Sequence, residues 1–377
     1  MAVARDVVCT HSDRQNTPEA IRELLAALDG IDPVAILFFC SANHDGLAIE
    51  RELKALAPSA EVVGCTTSGE FTDRAYSQGG VSVVALSHAK VRRCAAALAE
   101  YDKGRTVEQA IHAAARQIAE RLEIDLREVD PERWVGIVLH EGMKGNEEEA
   151  NAVLGHVAPF LSFLGGSAGD NLQQKETRVF YEGRSSNCGS VMLLMELAVP
   201  YVIVKTCSFE PTPVRMRIGR VEGRVVYEID GRPAVQEYAA KVGVAPEALG
   251  HPVFMANPLG LMIEGEPWVR SPIAAFPDGG LLFGCKIFEG AELNLLRSTD
   301  LVGDTKSALS KAAEKLGHRP SAGILFNCAH RCVEIEIKHL RQPFCDAIAD
   351  FPVAGFHSYG ESWLAHMNQM LIGLLIA

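Results

Sequence analysis

Short apolar runs recur along this chain in a fixed order. Three stretches repeat one plan: an apolar strand, a helix-length segment, a second apolar strand entering a glycine-rich turn with an acid, then a closing apolar run. The runs fall at 36–40, 62–70 and 80–86, at 136–140, 163–170 and 189–194, and at 323–328, 353–361 and 368–372. Between the first two runs, Leu47, Glu50, Leu53 and Leu56 recur at helical spacing, and Pro58 ends the segment. That spacing predicts an amphipathic helix over 43–57, and a second is predicted over 106–122. In the second stretch Glu147, Glu148 and Glu149 occupy a first helical turn, where acids complement the helix dipole. Each unit reads β-α-β-β, and repetition makes the turns the natural home of function.

Residues 200–300 pattern differently. Short β-rich segments at 214–221 and 224–229 are broken by glycine and proline, 229–233 has turn chemistry, and 234–242 reads as a short helix. The fold class expected is α/β: duplicated β-α-β-β units in an N-terminal α/β domain over 31–199, after a lead-in over 1–30. A C-terminal α+β domain over 200–377 then contains the third related unit. The chain closes on the buried strand pattern of 370–377 with no appended output domain, so a signal is expected to pass to a separate protein.

A chain of 377 residues with 48% hydrophobic and 22% charged content is that of a globular protein with sizeable cores. The apolar runs are too short to span a bilayer core of about 30 Å, so no membrane insertion is expected. The first residues lack the order of a signal peptide, and ten cysteines scattered through apolar strands suit buried thiols, so a cytoplasmic location is expected. A net charge of −12 without a Lys/Arg-rich run argues against nucleic-acid binding.

Three constellations carry candidate chemistry. Gly165-Gly-Ser-Ala-Gly169 matches the nucleophile elbow of serine hydrolases, with Ser167 as nucleophile. Thr67 and Ser358 stand at the equivalent turns, which favours a structural hydroxyl and a chain that is not an enzyme. Cys328, His330 and Cys332, with His357 or Cys345, form a thiolate and imidazole set for zinc. His140, His330, His357 and His366 lie at strand ends and turns, which in α/β units converge on one rim. A haem pocket needs one such imidazole, an apolar enclosure and cations for the propionates; Phe356, Tyr359, Trp363, Met367 and Met370 are candidates for the enclosure, and Arg331 or Arg341 for the propionates.

Several short motifs occur in order: 63–70, 164–170, Leu325-Phe-Asn-Cys328, Gly355-Phe-His-Ser-Tyr-Gly-Glu361 and His366-Met-Asn-Gln369. Across almost the whole chain they resemble the FIST family, N-terminal and C-terminal domains. Gly355, Phe356, Tyr359, Gly360, Glu361, His366, Asn368 and Gln369 match its pattern. His140 stands where the family more often has aspartate, and His330 where a small residue usually precedes the arginine. The resemblance implies a cytoplasmic sensory domain for small ligands, acting beside a histidine kinase or a cyclic-di-GMP synthase or phosphodiesterase in a two-component or cyclic-di-GMP pathway. One branch, NosP, binds haem and senses nitric oxide, and the single-module layout is similar to it.

The leading expectation is therefore a sensor binding haem b, with His357 or His140 ranked ahead of His330 and His366 as iron ligand and a small gas as signal. The alternatives are a sensor of an amino acid or other small metabolite, with Glu70, Ser167, Asp170 and Glu361 as ligand-binding residues, and a serine hydrolase using Ser167.

Overall fold

The computed structural model describes residues 5–102 and 104–377; the first four residues, on which part of the leader-peptide reading falls, lie outside the described residues. The chain divides into unit 1, Met1–Lys205 with Thr305–His366 and Leu371–Ala377, and unit 2, Thr206–Asp304 with Met367–Met370. The expected boundary at 199/200 separates the third repeat from the first two, whereas unit 1 contains all three.

Unit 1 begins with β1 (Val7–Ser12) and α1 (Thr17–Ala27), the segment expected as a lead-in. It is integral to the fold: β1 pairs antiparallel along the first sheet, and α1, capped by the Asn16 side chain, buries Ala20 and Leu24. The first repeat follows as β2 (Pro33–Ser41), α2 (Gly46–Leu56), β3 (Glu61–Thr67), the hairpin β4 (Glu70–Thr72) and β5 (Tyr76–Ser77), and β6 (Val81–Ser87). Asp45 caps α2 by accepting from the Ala48 N–H, and Pro58 stands just past the Ala57 C-cap.

Next come β7 (Val91–Glu100) and α3 (Val107–Leu122), which starts in a capping box of Thr106 and Gln109. The second repeat is β8 (Trp134–His140), α4 (Glu147–Val157), β9 (Ser162–Ser167), β10 (Val179–Tyr181), β11 (Arg184–Ser186) and β12 (Gly189–Leu197). After β13 (Tyr201–Cys207) and unit 2, the chain returns through α5 (Leu301–Leu316) to the third repeat. This is β14 (Ala322–Cys328), α6 (Ala329–Ile337), α7 (Arg341–Ile348), β15 (Val353–Ser358), β16 (Glu361–Trp363), β17 (Ala365–Met367) and β18 (Met370–Ile376).

The three repeats share one pairing scheme. β2 and β3, β8 and β9, and β14 and β15 are parallel pairs, and the closing strands β6, β12 and β18 add antiparallel to the first strand of each pair. The central strands are buried along their whole length, save partly buried Val34 in β2, which is why they read as continuous apolar runs rather than alternating ones. The remaining edge of each pair is filled by exchange. β4 leaves the first repeat to pair with β15, β16 leaves the third to pair with β9, and β10 leaves the second to pair with β3. This cycle of borrowed strands is what draws the third repeat into unit 1.

Unit 2 holds an antiparallel sheet in the order Phe209–Arg217, Glu292–Ser298, Leu259–Ile263 and Glu266–Arg270, and a second of four short strands. Asp230 and Gly231, both at positive φ, make the two-residue turn of the Glu228–Ile229 and Arg232–Pro233 hairpin. The helix Ala234–Val242 follows, as its sequence predicts, and ends at left-handed Gly243. Met216, Ile218, Tyr238, Phe254 and Phe283 centre this unit's core.

Candidate functional site

The three glycine-rich turns of unit 1 are bonded into a closed ring by their own backbones. Ser68 N–H donates to the His357 carbonyl (3.0 Å) and His357 N–H to that of Gly69 (2.8 Å). Ser167 N–H donates to Gly360 O (2.8 Å) and Tyr359 N–H to Ser167 O (3.0 Å); Gly169 and Asn171 N–H groups donate to Thr66 O and Thr67 O (2.9 and 3.0 Å).

The turn hydroxyls and acids are spent inside this ring. Thr67 donates to Glu70, and Ser358 donates to Glu361 at 2.6 Å, the same three-residue reach. Asp170 is one methylene shorter and takes a different set: the Tyr359 hydroxyl and the N–H groups of Gln174, Lys175 and Glu176. Burial alone would raise the Asp170 pKa, but these donors hold it below the usual range. Ser167 then donates to Glu147 at 3.3 Å. Glu70, Ser167 and Glu361 are fully buried and Asp170 nearly so, with bonding partners within the chain, so the expected ligand cradle of these four is a structural clasp.

Ser167 is inaccessible and its hydroxyl faces a carboxylate rather than an imidazole. A fluorophosphonate serine probe is expected to leave the native protein unlabelled, and Ser167-specific labelling would restore the hydrolase reading.

The third repeat holds a different kind of group. His357 sits on β15 with no exposed surface, its ring 5.1 Å from the rings of Phe71 and Tyr76 and 6.3 Å from that of Phe344. A Cβ on Gly69, whose φ is +130°, would lie 2.8 Å from His357 Cδ2, so the turn needs glycine to admit the ring. In the parallel ladder Asn327 of β14 is its neighbour.

The proton on His357 follows from that neighbour. Arg331 Nε can only donate, and it donates to Asn327 Oδ1 at 2.7 Å, while Arg331 Nη2 donates to Thr305 Oγ1 at 2.6 Å. Asn327 therefore presents its Nδ2 donor to His357 Nδ1 at 2.8 Å, and Nδ1 must accept. Burial, then the positive charge of Arg331, lowers the His357 pKa to about 3, so the ring is neutral. Assigned from this network, the one ring proton is on Nε2. That N–H is buried, with no acceptor among the described residues.

The other histidines are elsewhere. His140 ends β8, with Nδ1 2.6 Å from Ser190 Oγ and Nε2 3.4 Å from Asn151 Oδ1; burial above all lowers its pKa to about 4. His366, buried on β17, is near enough for its charge to depress His140, whereas His330 is partly exposed on α6. His140 and His357 stand on strands of different sheets, β8 and β15.

The two leading imidazoles do not present an iron ligand. An axial imidazole gives iron a nitrogen lone pair, but His357 Nε2 carries a proton, His357 Nδ1 accepts from Asn327, and both nitrogens of His140 are engaged. Phe356 faces Phe39 and Phe326, with ring centroids at 4.8 and 5.7 Å, on the side of β15 opposite His357, as strand alternation requires. Of the propionate candidates Arg331 is buried, whereas Arg341 is exposed and paired with Glu336; Tyr359, a candidate for the enclosure, is held by Asp170. Cys332 faces Tyr76 and Gln78, and among the described residues no three His, Cys, Asp or Glu side chains gather as a metal site requires. Sequence reading missed Asn327, Phe71, Tyr76 and Phe344; the Asn327-to-Arg331 spacing of one helical turn was the available signal.

Three α/β units closed by exchanged strands, joined to a smaller β-rich unit, define a two-part mixed α/β module. The family model described as the FIST N domain matches residues 34–232, and that of the FIST C domain matches 234–363. The chain belongs to the FIST family, whose domains point to a small-ligand sensor. The uncharacterized protein MJ1623 of Methanocaldococcus jannaschii is 25% identical over 281 residues, which cover 69% of this chain and 52% of that protein. The chain thus spans about half the length of this curated relative. Among the described residues no helix is long and apolar enough to cross a membrane.

Proposed function

We propose that this chain is a small-ligand sensor whose ligand is a haem-free small molecule bearing a hydrogen-bond acceptor, received at His357. Its occupancy is passed to a separate histidine kinase or cyclic-di-GMP enzyme, the partner class the family resemblance implies. The observation that carries the ligand reading is the His357 Nε2–H, enclosed by aromatic rings with no acceptor. A buried donor left unmade costs about 1–3 kcal/mol, and an acceptor supplied by a ligand recovers it. Such a ligand shifts a two-state signalling element only by its differential affinity, typically about 1–3 kcal/mol of coupling.

Fractionated extract of small metabolites, added to wild type and His357→Phe, tests the reading. At least one fraction is expected to raise the melting temperature of wild type and not of the variant, whose own stability should lie within about 1 kcal/mol because the orphan donor is removed with the ring bond to Asn327. Haem titration supplies the opposing outcome. A sharp Soret band that moves with nitric oxide and disappears in His357→Phe would overturn the tautomer argument and establish the haem sensor.

A further inference from the structure

Beside His357 the surface of unit 1 carries a hollow of about 370 Å³, lined by Asp73, Arg74, Tyr76, Arg341, Gln342 and Cys345 among others. Tyr76 belongs to both places. It lines the hollow, and its ring lies against the imidazole. We propose that this hollow is the entrance to the His357 chamber, that Tyr76 is its gate, and that the ligand is a small aromatic carboxylate. The inference rests on the sensor reading above and adds the route and the chemical class.

The gate follows from where Tyr76 stands. β5 is a two-residue strand at the edge of its sheet, so one ladder holds it. The Tyr76 hydroxyl bonds the Cys332 sulfur at 3.3 Å, a weak partner, and also meets the Glu336 carboxylate, while Arg341 lies over the ring at 5.5 Å. Turning Tyr76 outward gives up these contacts and joins the Nε2–H to the hollow. Short edge hairpins with few buried contacts are the elements that open at low cost.

The class follows from charge and shape. The chamber offers a donor, with the cation of Arg331 behind it, so it favours an anionic acceptor and rejects a cation. Arg74 and Arg341 stand at the mouth, each paired with an acid, Arg74 with Asp73 at 3.3 Å and Arg341 with Glu336 at 2.7 Å. Of the acids beside it, Asp73 also accepts from Val353 N–H (3.1 Å), Asp346 accepts from Gln342 (2.8 Å) and Glu336 is held by Arg341. Phe71 and Phe344, packed edge-on with centroids 5.4 Å apart, supply faces for a planar ring.

Cys345, partly exposed in the hollow, reports occupancy. The full chain is alkylated with iodoacetamide in the presence of benzoate, benzamide or benzylamine, and the Cys345 peptide is followed by mass spectrometry. Benzoate is expected to slow Cys345 alkylation saturably, about fivefold at four-fifths occupancy, with benzamide weaker and benzylamine without effect. Tyr76→Ala should raise the basal rate, Tyr76→Phe should keep protection, and His357→Phe should lose it. If His357→Phe fails to fold, Asn327→Asp replaces it: an aspartate accepts from Nδ1–H, leaves Nε2 a bare acceptor and should abolish benzoate protection. Protection by benzylamine equal to that by benzoate, protection undiminished in both chamber variants, or none from benzoate in wild type overturns the proposal. If an extract fraction still stabilises wild type through His357 while benzoate fails, the sensor reading stands and the carboxylate class falls.

Discussion

Alanine at position 165 is expected to leave little or no folded protein. Gly165 lies in β9 opposite Val138 of β8 in the parallel ladder, and a Cβ built on it would sit 1.8 Å from the Val138 carbonyl oxygen and 2.8 Å from its carbonyl carbon. Both atoms are backbone, so no rotamer change relieves the clash. β8 and β9 are flanked by β12 and β16, and neither can move aside without breaking a second ladder. Overpacking that side chains can absorb costs about 1–3 kcal/mol, and this case lies above that range. Gly155 is the control: it lies in α4 with nothing within 4 Å of an added Cβ, so Gly155→Ala should gain about 0.5–1 kcal/mol. Soluble yield and melting by circular dichroism decide the comparison. A Gly165→Ala protein melting within about 2 °C of wild type would show that the ladder is not as drawn.

Wild type should lose stability relative to Glu70→Gln as pH rises from about 4.5 to 7. Burial, the largest influence, raises the Glu70 pKa to about 7, although Thr67, the Gly80 N–H and Ser77 all donate to it. Its folded pKa is thus above the unfolded value near 4.5, and between the two the folded state binds more protons. The contribution is fully present below the unfolded pKa and is lost as pH rises through the folded one. About 2.5 pKa units correspond to about 3 kcal/mol, all of it absent from the glutamine variant. Urea unfolding of both proteins at pH 4.5 and 7.5 measures the change, and a difference between them that does not vary with pH would refute it.

The repeats were legible because strand burial on both faces leaves continuous apolar runs, and because a turn with glycine, hydroxyl and acid recurs. The helix over 107–122 was legible from its spacing, and that over 234–242 from the turn before it. The exchange of β4, β10 and β16 was not, since three-residue strands carry no periodicity and their partners are set by tertiary closure. At the site, His357 stood out as an imidazole that the first repeat does without. Its chemistry did not, because which nitrogen carries the proton is decided by Asn327 and, behind it, Arg331. The acids misled for a related reason: a buried carboxylate closing a turn and one awaiting a ligand look alike in sequence.

Strand exchange also sets the order in which this protein can be made. β4 waits for β15, and just past β4 Asp73 bonds Val353, 280 positions later. During synthesis the first repeat emerges with its Glu70 hairpin unpaired, and the edge of β3 stays open until β10 follows. At about 5–20 residues per second, the interval before β15 emerges is on the order of tens of seconds. Through that interval the hairpin that carries Tyr76 has an exposed edge, which marks it as the segment a chaperone would meet first.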